Sequence, residues 1–188
     1  MDAANALRYR AMILVYLVLE TRRFTAFDCH YFPENNVIFS RVSEPKHHSG
    51  AEKPSDRTGL CAEIPCWEQD SLWTESDETL GDRVIEDLRK SGMPVTVPIN
   101  AVFTKRLSHA YPVYALDYDR NLAQIERHLD RIPNLIRFGR QATFLHDNIH
   151  HALTMGYMAA DCMEADGNWN RDRWRAATSQ FHSFTVED

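Results

Sequence analysis

Asn134-Leu-Ile-Arg-Phe-Gly-Arg-Gln-Ala-Thr-Phe-Leu-His-Asp-Asn-Ile-His-His-Ala-Leu-Thr-Met-Gly-Tyr-Met-Ala-Ala-Asp-Cys162 is the most informative segment of the sequence. Asn134 to Phe138 is a short apolar run closed by Gly139, the pattern of a buried strand. Arg140 to Asp147 reads as a compact loop, with Asp147 or Asn148 as the N-cap of a helix. A strand that ends in Gly and leads through a loop to a helix start presents free N–H groups and the positive end of a dipole. Both suit an anion or a carbonyl. Ala152, Gly156 and Ala159-Ala160 then place small side chains on one helix face, where a flat ligand or a second backbone comes close.

Upstream of this stretch the pattern alternates between strands and helices. Pro133 stops a helix that Asp117 or Asp119 caps and whose inner face is Leu122, Ile125, Leu129 and Ile132. Before it, Ala101 to Ala115 reads as a strand that Pro112 forces to an edge, a bulge or an end. Ser76 or Asp77 caps a helix running to about Ser91, with Leu80, Val84, Ile85 and Leu88 as its inner stripe. Gly92 and Pro94 end it.

Nearer the N-terminus, Ala11 to Leu19 reads as a central strand buried on both faces. Phe27 to Phe32 and Val37 to Val42 form a hairpin around Glu34-Asn-Asn36. Pro45 to Arg57 is a loop. Thr58 to Pro65 alternates as a strand, with Leu60, Ala62 and Ile64 on one face and Glu63 on the other. Gly167 to Asp188 shows no steady period and reads as a poorly packed tail. This order predicts an α+β fold with a mixed, largely antiparallel sheet, helices packed on it, and a C-terminal strand-loop-helix. The expected divisions are residues 1–133, 134–165 and 166–188.

Composition narrows the function. Hydrophobic residues at 44% and charged residues at 26% are globular proportions and exclude general disorder. A formal net charge of -6 without a basic stripe disfavours nucleic acid. The longest apolar run is too short to span a bilayer and is preceded by Arg8 and Arg10, so neither a transmembrane segment nor a signal peptide is expected. Cys29, Cys61, Cys66 and Cys162 read as free thiols of a cytoplasmic protein. No Gly-x-Gly-x-x-Gly occurs, so the chain has no dinucleotide-binding fingerprint of its own.

His146, His150 and His151 beside Asp147 lack a His-Glu-x-x-His pattern and a third ligand, so capping and surface roles outweigh a metal and none is expected. His109, Tyr111, Tyr114 and Tyr118 form either an aromatic core edge or one wall of a cleft. Arg140, directly after Gly139, is placed to fork onto a phosphate or carboxylate. No residue is a credible nucleophile.

Three blocks carry a family resemblance: Leu7 to Leu19, Arg106 to Tyr114, and Gly139-Arg-Gln-Ala-Thr-Phe144 through Asn148-Ile-His-His-Ala-Leu153. Together they resemble the C-terminal portion of the FAD-dependent amine oxidase superfamily, in its protoporphyrinogen-oxidase-like and UDP-galactopyranose-mutase-like branches. The resemblance implies an oxidoreductase in which the strand-loop-helix completes a flavin site. Asn148, Ile149 and His150 then face the pyrimidine end of the isoalloxazine, and Gly139 and Arg140 lie beside flavin and substrate. Tyr111, Tyr114 and Arg140 line the substrate pocket.

Ala142 and Phe144 stand where the mutase-like pattern has Gly and Tyr, and His150 where it has Asp, so a mutase is the second reading. A non-catalytic binding domain is the third. The chain is expected to be a fragment, inactive alone, that binds FAD only with a missing N-terminal, Rossmann-like nucleotide-binding half. A small-molecule substrate is its other partner.

Overall fold

A computed structural model describes residues 2–50, 52–133, 135–184 and 186, with the side chain of residue 182 left aside. In chain order the elements are α1 (Asp2–Ala6), β1 (Arg8–Leu19), β2 (Cys29–Tyr31), β3 (Arg41–Ser43), α2 (Pro45–Ser49), β4 (Thr58–Cys66), α3 (Asp77–Lys90), β5 (Ile99–Val113), α4 (Tyr118–Leu129), α5 (Arg140–Thr143), α6 (Ile149–Asp161) and α7 (Arg171–Thr178). The strands form one open sheet in the order β2-β3-β4-β1-β5. Each pairing from β2 to β1 is antiparallel. At the far side Glu20 N–H donates to Pro98 C=O at 2.9 Å, which sets the end of β1 beside the start of β5. The expected α+β class is the observed one.

The chain divides into two compact units, residues 10–110 and residues 1–9 with 111–188, so the boundary falls within β1 and β5. The residue 133/134 and 165/166 divisions expected from the sequence both lie inside the second of these.

In the unit of residues 10–110, Ile13, Val15, Leu17 and Leu19 of β1 and Leu60, Ala62 and Ile64 of β4 are buried on one face. They pack with Leu80, Val84 and Leu88 of α3. Burying β1 on both faces, as expected from its apolar run, is not what occurs. Leu14, Tyr16 and Val18 are only half-buried, because an antiparallel sheet needs covering on one face alone. Tyr16 instead stacks on Phe103 of β5, with ring centroids 4.8 Å apart.

The start of α3 is capped by Ser76, whose side chain accepts from Thr79 N–H at 3.2 Å. Its end is a Schellman turn. Gly92 has φ +79°, its N–H donates to Arg89 C=O, and Met93 N–H donates to Leu88 C=O. Within α3, Gly81 permits a close approach: a Cβ there would lie 2.7 Å from Val102 Cγ1. Valine cannot swing aside at χ1 as a flexible chain would. Gly81→Ala is therefore expected to lower the unfolding free energy by about 1–3 kcal/mol. In a Val102→Ala background the sign should reverse, because alanine then contributes ~1 kcal/mol of helix propensity. Urea denaturation of the four chains tests this, and additive effects would contradict the close approach.

Four other sequence expectations are corrected. The hairpin forms, but its strands shorten to three residues each, paired Cys29 to Ser43 and Tyr31 to Arg41. The loop after Ser43 opens with α2, aided by Pro45 at its first turn. Leu135 to Phe138 is not a strand, and Asn134 lies outside the described residues. Leu135 and Phe138 are each 43% exposed, so the run is not the buried strand its apolarity suggested. The described part of the final segment, through residue 184, is not a loose tail. It holds α7, capped by Asn170, and Trp169, Trp174 and Phe181 pack edge to face with Phe181 buried.

Candidate functional site

The segment from Gly139 to Asn148 is not a plain loop, because its first residues form the single turn of α5. Gly139 precedes that turn at φ +81°, ψ 164°, a backbone that favours glycine, and no atom lies within 4 Å of where its Cβ would be. Phe144 ends the turn in the left-handed region, at φ 53°, ψ 39°. A phenylalanine there costs about 1–2 kcal/mol, and an aromatic cage holds it. Tyr9 meets its ring edge-on at 5.1 Å, with Tyr118 at 5.9 Å and Tyr114 at 6.0 Å. The ring is 1% exposed. Tyr9 also donates its hydroxyl to Gln141 C=O at 2.9 Å, tying the turn down from outside.

Around this turn the polar side chains converge. Arg140 Nε donates to Asp147 Oδ1 at 3.0 Å, and its Nη2 donates to Asp147 C=O. The Arg140 guanidinium also lies 4.8 Å above the Tyr111 ring, a cation–π contact. Tyr111 meets His146 edge-on at 5.2 Å, and Tyr114 Oη accepts from His146 N–H at 2.7 Å. Thus Tyr111 and Tyr114, on opposite faces of a regular strand, both reach this loop. Tyr114 does so from just beyond the end of β5.

The two ends of the ion pair differ in burial. The Asp147 side chain is 4% exposed and that of Arg140 25%. Asp147 Oδ2 is buried and has no hydrogen-bond partner among the described residues.

The start of α6 is built by a reciprocal cap. Asn148 N–H donates to His151 Nδ1 at 3.2 Å, and the Asn148 side chain accepts from His151 N–H. Accepting at Nδ1 leaves the His151 proton on Nε2, and the ring stacks on Phe184 at 4.7 Å. Of the three N–H groups expected at this helix start, Asn148's is therefore engaged within the chain. Those of Ile149 and His150 have no partner among the described residues.

The buried face of α6 is His151, Met155, Ala159 and then Cys162, with Gly139 N–H donating to Met155 Sδ at 3.2 Å. On another face Ile149, Leu153 and Tyr157 are 82%, 59% and 73% exposed, an apolar stripe beginning at the free N–H groups. Of the small residues, only Ala159 is buried.

These groups can orient a ligand and shield it. Burial raises the Tyr9 phenol above its ordinary range, helped by Tyr114, and burial likewise raises Tyr114, so both stay protonated. Burial also pushes the Cys29, Cys61 and Cys66 thiols up. All four cysteines are free. Among the described residues no three His, Cys, Asp or Glu side chains converge as a metal site. His109 is exposed and bonds Ser108 Oγ through Nδ1 at 2.9 Å.

Sequence reasoning missed Asp147 as the partner of Arg140, the Tyr9–Phe144 contact, and His151 as half of the cap. The Asn-x-x-His spacing at 148–151 carries the signal for the last, with histidine in the place of the usual Glu or Gln.

Neither the protein-family models nor the curated proteins give a match to this sequence. Solved structures do. Reduced UDP-galactopyranose mutase superposes with a TM-score of 0.61 at 16% identity, over 74% of this chain and 29% of its own. A candidate protoporphyrinogen oxidase from Exiguobacterium sp. 255-15 superposes with a TM-score of 0.57 at 18% identity, over 97% and 36%. The chain spans about a third of the length of these structures. The likeness is one of fold, and it falls on the two branches that the sequence resembles.

Proposed function

We propose that this chain supplies the substrate pocket and the isoalloxazine-facing helix start of a FAD-dependent oxidoreductase, and is inactive alone. The observation that carries this is the start of α6. Its Ile149 and His150 N–H groups have no partner among the described residues, the reciprocal Asn148–His151 cap stands beside them, and an exposed apolar stripe begins there. Two N–H donors at the positive end of a helix, flanked by apolar surface, fit one carbonyl edge of a flat ring system.

Bound flavin would act as the hydride acceptor. The chain's own residues orient it: Ile149 and His150 through backbone N–H groups, Gly139 by leaving room at the loop. Tyr111, Tyr114 and Arg140 line the substrate side. The contribution of the protein in this reading is binding, orientation and exclusion of water.

The adenosine diphosphate half of FAD has no Gly-x-Gly-x-x-Gly loop to hold it in this sequence. A separate nucleotide-binding half is the partner we infer. The four free thiols favour a reducing compartment, the cytoplasm. A mutase reading needs Arg140 to leave Asp147 for a substrate phosphate, and no observation favours that over the internal pair.

The expected result in solution is weak, length-independent binding. FAD and FMN should bind the 188-residue chain with Kd of the order of 1 mM, about -4 kcal/mol, because only the shared ring system is contacted. Fluorescence titration of both ligands checks this. A preparation that purifies with stoichiometric FAD, or one that binds FAD far more tightly than FMN, contradicts it.

A further inference from the structure

β5 closes one side of the sheet, and no strand follows it in the order β2-β3-β4-β1-β5. It runs antiparallel to β1: Glu20, just past the end of β1, bonds Pro98, just before β5, and Tyr16 stacks on Phe103. In an antiparallel ladder alternate residues turn both N–H and C=O toward the same neighbour. Thr104 turns its N–H away from β1, because that group donates to Asp77 Oδ2 at 3.1 Å. Burial alternates without a break from Ala101 to Ala110, so Arg106, Ser108 and Ala110 follow Thr104 and face outward. The irregularity in β5, where Asn100 and Ala101 are both exposed, comes before them.

This outward edge is covered only at its start. Asp77 holds Thr104 through both N–H and Oγ1, and the Arg106 guanidinium reaches back, Nε donating to Trp73 C=O at 2.7 Å. From Arg106 to Ala110 the outward N–H groups meet no acceptor among the described residues. Beyond them Pro112 has no N–H to offer. The open stretch is thus bounded at both ends, and it lies in the unit of residues 10–110. A row of free donors and acceptors on a strand edge is a template for another strand.

We propose that the outer edge of β5 pairs antiparallel with the same edge of a second copy of this chain, about a two-fold axis at Ser108. Register carries the argument. With Ser108 opposite itself, Arg106 of each copy meets Ala110 of the other, and each outward N–H between them finds a C=O. The two positions that cannot donate, Thr104 and Pro112, then fall opposite one another. An axis at Leu107 sets Ala110 against Thr104, whose N–H already belongs to Asp77. An axis at His109 sets Arg106 against Pro112. Either shift leaves a C=O without its donor.

Charge permits the pairing too. Lys105, the kind of residue that guards an edge, meets no second cation in this register, and Arg106 is tied back to Trp73. A ladder this short buries well below the ~800 Å² per partner of a stable interface, so the dimer is weak, with Kd of the order of 100 μM. The flavin reading concerns the other unit, and the two stand or fall separately.

Sedimentation equilibrium of the 188-residue chain from ~10 μM to ~1 mM should fit a monomer–dimer equilibrium. Amide hydrogen exchange reads the edge itself. Arg106, Ser108 and Ala110 should slow by about fivefold at ~1 mM, because only the monomer leaves them open. Lys105, Leu107 and His109, which face β1, should keep their rates. Ser108→Glu and Ser108→Lys each set like charges opposite one another at the axis, and each should weaken the dimer about threefold or more. Mixed in equal amounts, the two variants should restore it. The proposal is overturned if no dimer forms at ~1 mM, if the alternating exchange contrast is absent, or if each charged variant alone dimerises as well as the wild-type chain. Sedimentation and exchange of the wild-type chain decide the matter even if a variant does not fold.

Discussion

Replacing Phe144 by alanine is expected to lower the stability of the unit of residues 1–9 and 111–188 by about 3–5 kcal/mol. The ring is 1% exposed and touches Tyr9, Tyr114 and Tyr118, so its removal leaves a cavity bounded by three aromatic side chains that cannot all collapse into it. The backbone gives a second, opposing effect. Phe144 has φ 53°, a conformation alanine does not relieve but glycine does. Phe144→Gly should therefore be the milder variant, by about 1 kcal/mol. Hydrogen exchange over residues 140–160 reads both effects, because the turn organised by this ring leads directly into the cap of α6. A Phe144→Ala chain within ~1 kcal/mol of wild type would show that the cage is not what holds the turn.

Arg140→Ala should cost about 3 kcal/mol, and more than Asp147→Asn. The asymmetry follows from burial. Removing Arg140 leaves a carboxylate that is 4% exposed, whereas removing the charge of Asp147 leaves a guanidinium that is 25% exposed and can turn to water. Uncompensated buried charge costs about 3–5 kcal/mol, and the partial exposure of the pair brings the figure toward the lower end. Arg140→Ala also loses the donation to Asp147 C=O and the contact over Tyr111. Asp147→Asn keeps both and should cost ~1–2 kcal/mol. Thermal or urea unfolding of the two variants gives the order directly. Equal costs would mean that the pair is screened by solvent as a surface pair is.

Much of the fold is legible in the residues, and the reasons are local. Ser76, Gly92 and Pro94 bracket α3, and Leu60, Ala62 and Ile64 alternate along β4, so period and punctuation agree. Leu135 to Phe138 misleads because three apolar residues around Arg137 have no period of their own. Phe138 lies beside α6 instead, its Cε2 3.8 Å from where a Cβ of Gly156 would be, while Arg137 bridges Glu126 and Asp130 on α4 and its end. The last segment hides its order differently. Trp169 precedes α7, Trp174 lies within it and Phe181 follows it, so the three meet across a helix and its flanking turns and not along one helical stripe.

At the site, Gly139 and Arg140 announce themselves as a glycine and an arginine after an apolar run. The pairing of Arg140 with Asp147 spans seven positions through a left-handed phenylalanine, and no regular period predicts it. His151 escaped for a simpler reason: read as one of three clustered histidines, it is the acceptor of a cap.

If the start of α6 faces a flavin, as proposed, amide-resolved NMR with FMN shows it residue by residue. The uniformly labelled 188-residue chain is titrated to several times the expected Kd, of the order of 1 mM. The predicted result places the largest shifts on the Ile149 and His150 amides, with smaller ones at Gly139, Leu153 and Tyr157. The Asn148 amide, already donating to His151 Nδ1, should move less. Saturable shifts elsewhere that leave Ile149 and His150 unmoved would contradict the account, as would no shift at either amide at saturating FMN.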